Sequence, residues 1–446
     1  MTSAAGGERP SGDAASEGLA AVPTLVVLHT PDPALRGRVI PVGEGVSIGR
    51  NAESVTIAIN DRLLSRRHAT VAPVAGSRIC ELVDHESRNG SFVEGLRVTR
   101  THLTRGSIIR LGVTLFELST DDDDADETLD DDFDEREPLL GKAGSFRDVL
   151  CRLSRAASSR EPVTIIGESG TGKKRVARRL HMASGRGGRF VVAHCGGSVR
   201  LTDAQLFGGA EALDSTNAEG FLAMAEGGTL VLDEADLLEP PLQEKILSLI
   251  DTGEYAQAGS QHRRTTDVRV VACSAANLEA AVQAGAFSRV LYERLSAHTL
   301  ELPALRDRRR DIPLLAQYFL KLEAPARRFD WSATCLEKLL LYDWPGNIRE
   351  LHNVMRRLTL VDDDVTMLRS AHLPKEIRKR LRTASEDSLR YSAITIHAVP
   401  SRSELARLLE QYEGNVARVA EHYAKDRRHV YRWLTRHDLS AADFRK

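Results

Sequence analysis

The stretch Thr164-Ile165-Ile166-Gly167-Glu168-Ser169-Gly170-Thr171-Gly172-Lys173 constrains this chain more than any other. Three β-formers run into a glycine-rich turn that ends in Gly-Lys, and Lys174 to Leu180 then follow a helical pattern. A phosphate chain needs this layout. Glycines let backbone N–H groups close round the oxygens, the helix N-terminus adds positive potential, and Lys173 brings a point charge to the β/γ-phosphates. Downstream, Thr229-Leu230-Val231-Leu232-Asp233-Glu234 reads as a buried strand ending in two carboxylates, the groups that hold Mg²⁺ and orient an attacking water. The two motifs together predict a nucleotide site, with residues 167–174 around the phosphates.

At 446 residues the chain has room for about three domains. Its net charge of -2 hides an uneven distribution. Residues 121–137 hold twelve Asp or Glu against one Arg, a net of -11 that leaves the rest of the chain at +9. Five scattered cysteines form no C-x-x-C pair, which speaks for a reducing compartment and against a disulfide frame or a zinc site. With no long apolar run and no apolar leader, a cytoplasmic protein is expected.

Composition divides the chain further. Residues 1–23 have the make-up of a disordered tail. Residues 24–119 hold short β-rich runs (Leu25–Leu28, Val46–Ile48, Thr70–Ala72, Ile79–Val83, Ser91–Val93, Ile108–Leu111 and Leu115–Leu118) parted by Gly, Asp and Asn, the pattern of a β-sandwich. An acidic linker spans 120–140. Residues 141–310 alternate strands and helices, as in an α/β domain with a mainly parallel sheet, and 311–376 read as helical throughout, broken at Trp344-Pro345-Gly346. A second linker covers 377–398, and 399–446 reads as three short helices.

Within the sandwich, Gly49-Arg50, Ser65-Arg66-Arg67-His68 and Ser87-Arg88-Asn89-Gly90-Ser91 fall on loops. Their order resembles the forkhead-associated (FHA) domain, a phosphothreonine reader. A phosphate dianion wants a guanidinium fork and neutral donors, and Arg50, Ser65, Arg66, Arg88 and Asn89 offer both. The resemblance implies that Arg50 and Ser65 hold phosphate, that Asn89 binds peptide backbone and that His68 is structural. The implied ligand is a phosphothreonine protein or the chain's own linker, where Thr128 has Asp131 three residues on; a solvated spacer is the other reading of that tract.

The sequence GESGTGK (167–173), LFG (206–208), GGTLVLDE (227–234), LYERL (291–295), LPALRDRRRDIP (302–313) and WPGNIREL (344–351) resembles the AAA+ module of sigma-54-dependent transcriptional activators. The resemblance implies ATP and Mg²⁺ as cofactors, with Asp233 on the metal and Glu234 on the water. It further implies Arg294 as a trans-acting arginine, Arg349 as the lid arginine facing the γ-phosphate, and assembly into a homo-oligomer. Several positions depart from that pattern. The GAFTGA loop that touches sigma-54 is replaced by Gly209-Ala210-Glu211-Ala212-Leu213-Asp214-Ser215-Thr216-Asn217. His194 stands for an Asn that restrains the catalytic glutamate, Ser274-Ala275 for Thr-Asn, Ser288 for a finger arginine, and Lys174 for Glu. Slow hydrolysis is the expectation.

The tail, with Gly414-Asn415 opening a helix and Arg427, Arg428, His429, Tyr431 and Arg432 on the next one, resembles a Fis-type helix-turn-helix, which implies DNA as partner. Three functions remain open from sequence: an activator that remodels sigma-54 polymerase, a DNA-binding regulator that uses nucleotide only for assembly, and a phosphopeptide-dependent scaffold.

Overall fold

In the computed structural model, the described residues are 22–75, 77, 79–119, 139–197, 200–209, 219–275 and 278–379, with scattered positions between 405 and 444. The acidic tract with Thr128, and residues 210–218 of the expected sigma-54 contact loop, lie outside them. The chain divides into two compact units, Met1–Ile377 and Arg378–Lys446.

Eleven strands build the front of the first unit: β1 (Thr24–His29), β2 (Val39–Pro41), β3 (Val46–Gly49), β4 (Ile57–Ala58), β5 (Ala69–Pro73), β6 (Cys80–Asp84), β7 (Ser91–Val93), β8 (Leu96–Val98), β9 (Arg100–Leu103), β10 (Ile108–Leu111) and β11 (Thr114–Ser119). They form two sheets, ordered β2-β1-β11-β10-β7-β8 and β4-β3-β5-β6-β9. Alternation puts Leu25, Val27, Ile48, Val71, Leu82 and Phe116 into the space between the sheets. The sandwich has strands β2, β4, β8 and β9 beyond those legible from apolar runs; the first three are three residues or fewer, and β9 (RTHL) has Leu103 as its one apolar residue, so none makes a run long enough to read.

The α/β part runs α1 (Gly144–Ala157), β12 (Val163–Ile166), α2 (Lys173–Ala183), β13 (Phe190–His194), α3 (Asp203–Phe207), α4 (Gly220–Met224), β14 (Thr229–Asp233) and α5 (Pro240–Thr252). A hairpin of β15 (Glu254–Ala256) and β16 (Arg263–Thr265) follows, then β17 (Arg269–Ser274), α6 (Leu278–Gln283), α7 (Arg289–Leu295) and β18 (His298–Glu301). The order β13-β14-β17-β12-β18 is parallel throughout. Buried on both faces, β14 and β17 read as continuous apolar runs, as parallel strands do. The parallel arrangement also brings every strand's C-terminal end, and with it Gly167, His194, Asp233 and Ser274, to one edge.

The lid comprises α8 (Ile312–Glu323), α9 (Ala333–Leu341) and α10 (Asn347–Leu358). It is not helical throughout: β19 (Asp330–Trp331) pairs in parallel with β20 (Met367–Leu368), a pair two residues long that has no periodicity to betray it. The lid core also takes in Ile108 and Leu115 from the sandwich, so the two pack as neighbours. No described helix is long and apolar enough to cross a membrane.

Candidate functional site

β12 delivers the chain to the phosphate loop, whose base is pinned by Gly167 N–H donating to Ser274 O at 3.2 Å. Gly172, with φ of 105°, caps α2, so Lys173 is its first residue. Lys173 Nζ donates to Gly167 O (2.6 Å) and Glu168 O (3.1 Å), folding over its own loop. Burial pushes its pKa down. Thr171 Oγ1 donates to Glu168 O at 2.8 Å and completes the turn.

Asp233 ends β14 between His194 of β13 and Cys273 of β17. Its Oδ2 lies 2.9 Å from Lys174 Nζ and 3.1 Å from His194 Nδ1. His194 therefore takes Asp233, not Glu234, as its partner. Glu234 is exposed, in the left-handed region at φ of 60°. Ser274 Oγ donates to Asp236 Oδ1 at 2.6 Å, and Ala275 beside it has no side-chain amide. Among the described residues no three His, Cys, Asp or Glu side chains gather as a metal site. A Mg²⁺ carried on phosphates takes one or two carboxylate oxygens, and here an ammonium and an imidazole already occupy Asp233 Oδ2. Burial raises the thiols of Cys195 and Cys273, the second to about 12, so neither is a ready nucleophile.

The lid reaches the loop through the turn at 344–347. Trp344 is buried and donates its indole N–H to Leu339 O at 2.8 Å. Asn347, fully buried, accepts from Leu305 N–H (2.8 Å) and donates to Glu168 Oε2 (3.1 Å) and Ser169 O (3.0 Å). Ile348 N–H reaches Gly170 O at 3.0 Å, and Arg349 Nη1 reaches Ser169 Oγ at 3.1 Å. A Cβ on Gly170 would run into Gly346 O, so this close approach needs glycine.

Arg306 forks onto Glu168 at 2.5 and 2.9 Å, and together with Asn347 holds that carboxyl near pKa 2, the arginine contributing most. Arg308, almost fully buried, donates to Thr171 O at 3.3 Å. Asn347, Arg306 and Arg308 were not singled out from sequence; all three lie inside LPALRDRRRDIP and WPGNIREL, whose density of polar residues was the available signal. Arg294 sits on α7 and pairs with Asp251 of α5 at 2.9 Å, not with the phosphate loop. Ser288 caps α7 through Leu291 N–H at 3.4 Å, and Arg289 faces Glu293 at 4.0 Å.

On the sandwich, the loops after β3, before β5 and after β6 converge. Arg50 N–H donates to Ser65 O (3.0 Å), and a Cβ on Gly49 would strike Arg66 O, so glycine lets the two loops touch. Buried His68 accepts Ser65 N–H on Nδ1 (3.1 Å) and donates from Nε2 to Gly90 O (3.3 Å); burial lowers its pKa, so it is a neutral strut. Ser65 Oγ accepts Arg88 N–H at 3.0 Å, which leaves its proton to donate outward. Arg50, Arg66, Arg88 and Asn89 are exposed beside it. Asn89 Nδ2 donates one N–H to Leu63 O at 2.6 Å, which leaves its second N–H and its carbonyl for a ligand.

From Asn89 hydrogen bonds lead to the turn between β10 and β11. Leu63 N–H donates to Asp61 Oδ1 (2.8 Å), whose Oδ2 accepts Val113 N–H (2.8 Å) and Thr114 Oγ1 (3.1 Å). Arg110, one strand end away, donates from Nε to Glu337 Oε2 of α9 at 2.8 Å, with both side chains largely buried. Arg309–Glu94 (3.0 Å) and Arg310–Glu117 (3.4 Å) flank it.

In the tail, Leu405, Leu409, Val416, Val419, Val430, Trp433 and Leu434 form one buried cluster. Gly414 has φ of 73°, and Asn415 Oδ1 accepts Arg418 N–H at 3.3 Å, a helix-start contact. Tyr431 is exposed; Arg427, Arg428, His429 and Arg432 lie outside the described residues.

The family described as Sigma-54 interaction domain matches residues 139–301, the AAA+ ATPase lid domain matches 306–389, and the FHA domain matches 46–112. The hydrogenase transcriptional regulatory protein HoxA of Bradyrhizobium diazoefficiens is 38% identical over 64% of this chain and 61% of its own length. The Psp operon transcriptional activator of Escherichia coli is 41% identical over 50% of this chain and 71% of its own. With most of the similar curated regulators the chain shares only about half to three-fifths of their length. The crystal structure of NtrX from Brucella abortus in complex with ATP aligns at 29% identity over 68% of this chain and 69% of that one, with a TM-score of 0.48.

Proposed function

We propose that this chain, which belongs to the family of sigma-54-dependent transcriptional activators, is a cytoplasmic regulator of transcription that binds ATP at residues 167–174, reads phosphothreonine with its FHA sandwich and binds DNA with its tail. The observation that carries the nucleotide reading is the closure of the lid turn on the phosphate loop, with Asn347 and Arg349 on Ser169 above Lys173. Backbone N–H groups of the loop and the N-terminus of α2 face incoming phosphate oxygens. Lys173 exchanges its two carbonyls for the β/γ-phosphates, and Arg349 follows from the lid. Bound triphosphate supplies a phosphoanhydride for cleavage, with exposed Glu234 the group in line to orient water. Arg294, exposed on α7, is free to leave Asp251 for a neighbouring copy, so a homo-oligomer completes the site.

Phosphothreonine is held by Arg50, Ser65, Arg66 and Arg88. The reading in which the module assembles on nucleotide without remodelling polymerase has its own support: His194 is engaged by Asp233, Ser274 by Asp236, and residues 209–217 lack the Phe-Thr tip. Titration of full-length protein with a fluorescent ATP analogue tests the nucleotide site. Lys173→Ala should lose measurable binding, since no neighbouring charge reaches the same position. Equal affinity in the two proteins refutes the site.

A further inference from the structure

The position next to the phosphate-loop lysine carries a second lysine, and its ammonium goes to the carboxylate at the end of β14. Lys174 Nζ stands 2.9 Å from Asp233 Oδ2, and His194 Nδ1 stands 3.1 Å from the same oxygen. The Asp233 side chain is 11% exposed, whereas Lys174 and His194 are 45% and 58% exposed, so the carboxylate is sheltered and its two partners reach it from the solvent side. Residue 174 belongs to the first turn of α2, beside the phosphates, where an acidic or hydroxyl side chain would add an oxygen ligand. A lysine adds none, and its charge repels a divalent cation brought to the same carboxylate.

Resting on the nucleotide reading above, we propose that Lys174 is a built-in counter-ion that stands in for the divalent cation, and that this site takes a metal-free nucleoside triphosphate. The charge balance favours it. A free triphosphate carries about four negative charges; Lys173 and Arg349 are two fixed positive groups around the loop, added to the dipole of α2, and Lys174 cancels the charge of Asp233 that would otherwise repel the phosphates. Asp233, paired with Lys174 and His194 through Oδ2, orients the ammonium and withholds that oxygen from a metal. Lys174 thereby acts as a specificity residue that sets which form of the nucleotide is accepted.

The test is a titration of metal-stripped, full-length protein with mant-ATP, in EDTA and again in excess MgCl₂. The wild type should show dissociation constants within threefold of each other. Lys174→Ser should raise the ratio of the EDTA to the magnesium constant at least threefold above the wild-type ratio, and Lys174→Arg should keep it near the wild type. A wild-type protein that binds threefold or more weakly in EDTA overturns the proposal while leaving the nucleotide site intact. A Lys174→Ser ratio no larger than the wild type's overturns it too. Wild-type protein that binds in neither buffer refutes the nucleotide reading itself, and the proposal with it. The wild-type comparison stands alone should a variant fail to fold.

Discussion

Removing Arg110 should loosen the lid from the sandwich by an amount that depends on pH. Arg110 Nε lies 2.8 Å from Glu337 Oε2, with side-chain exposures of 14% and 3%. The other Glu337 oxygen has no hydrogen-bond partner. Arg110→Ala therefore leaves a carboxylate buried without its counter-ion, a loss of about 3–5 kcal/mol for pairs of this kind. Protonation limits the damage. Moving a carboxyl from its ordinary value of 4.5 to the neutral form costs about 3.4 kcal/mol at pH 7 and about 0.7 kcal/mol at pH 5.

Burial already holds Glu337 above that value, with Arg110 pulling the other way. A carboxyl raised in the folded state contributes stability that is complete below about pH 4.5 and disappears as pH climbs through the folded value. Without Arg110 the folded value rises further, so the variant's deficit deepens with pH: about 3 kcal/mol at pH 7 and under about 1 kcal/mol at pH 5. Urea unfolding followed by tryptophan fluorescence reads this directly, because Trp331 and Trp344 both lie in the lid core; Trp433→Phe removes the remaining signal from the tail. Adding Glu337→Gln to Arg110→Ala should flatten the pH dependence. A deficit equal at pH 5 and pH 7, or one below about 1 kcal/mol at pH 7, refutes the reasoning.

Three further outcomes are expected. Gly170→Ala, at φ of 81° and against Gly346 O, should hold the lid turn off the loop and weaken binding of a fluorescent ATP analogue at least about tenfold, roughly 1.4 kcal/mol, in equilibrium titration; unchanged affinity would show that the contact is dispensable. Arg50→Ala and Ser65→Ala should each abolish detectable capture of a phosphothreonine peptide by fluorescence anisotropy, with no change towards the unphosphorylated peptide, since each removes a donor from the dianion. Arg428→Ala and Arg432→Ala should each weaken DNA binding by about 1–3 kcal/mol if they read bases, or lower the salt slope if they touch phosphate; mobility shifts identical to wild type would make the tail a protein-binding element.

Much of the molecule was legible from local sequence because its signals are local. The phosphate loop needs glycines and a lysine within ten consecutive residues, and β14 needs an unbroken apolar run before Asp233, so both can be read without knowing what surrounds them. The strands of the sandwich that bury alternate residues were visible for the same reason, while β4 and β8, short and half-covered, were not. The loops bearing Arg50, Ser65 and Asn89 were recognisable from residue order, but the engagement of Asn89 by Leu63 O was not.

Tertiary structure alone decided which charges meet. Lys174, His194 and Asp233 come from a helix, a strand end and another strand end, and only the parallel register that sets His194 opposite Asp233 brings them to one oxygen. Asn347 becomes the joint between lid and loop because α10 begins where Glu168, Ser169 and Leu305 converge, 42 or more residues distant in sequence. Arg110 and Glu337 are 227 residues apart, and each alone reads as an ordinary surface charge. The physical reason is common to all three: propensity and periodicity act over a few residues, whereas an ion pair is fixed by packing that the whole chain must complete first.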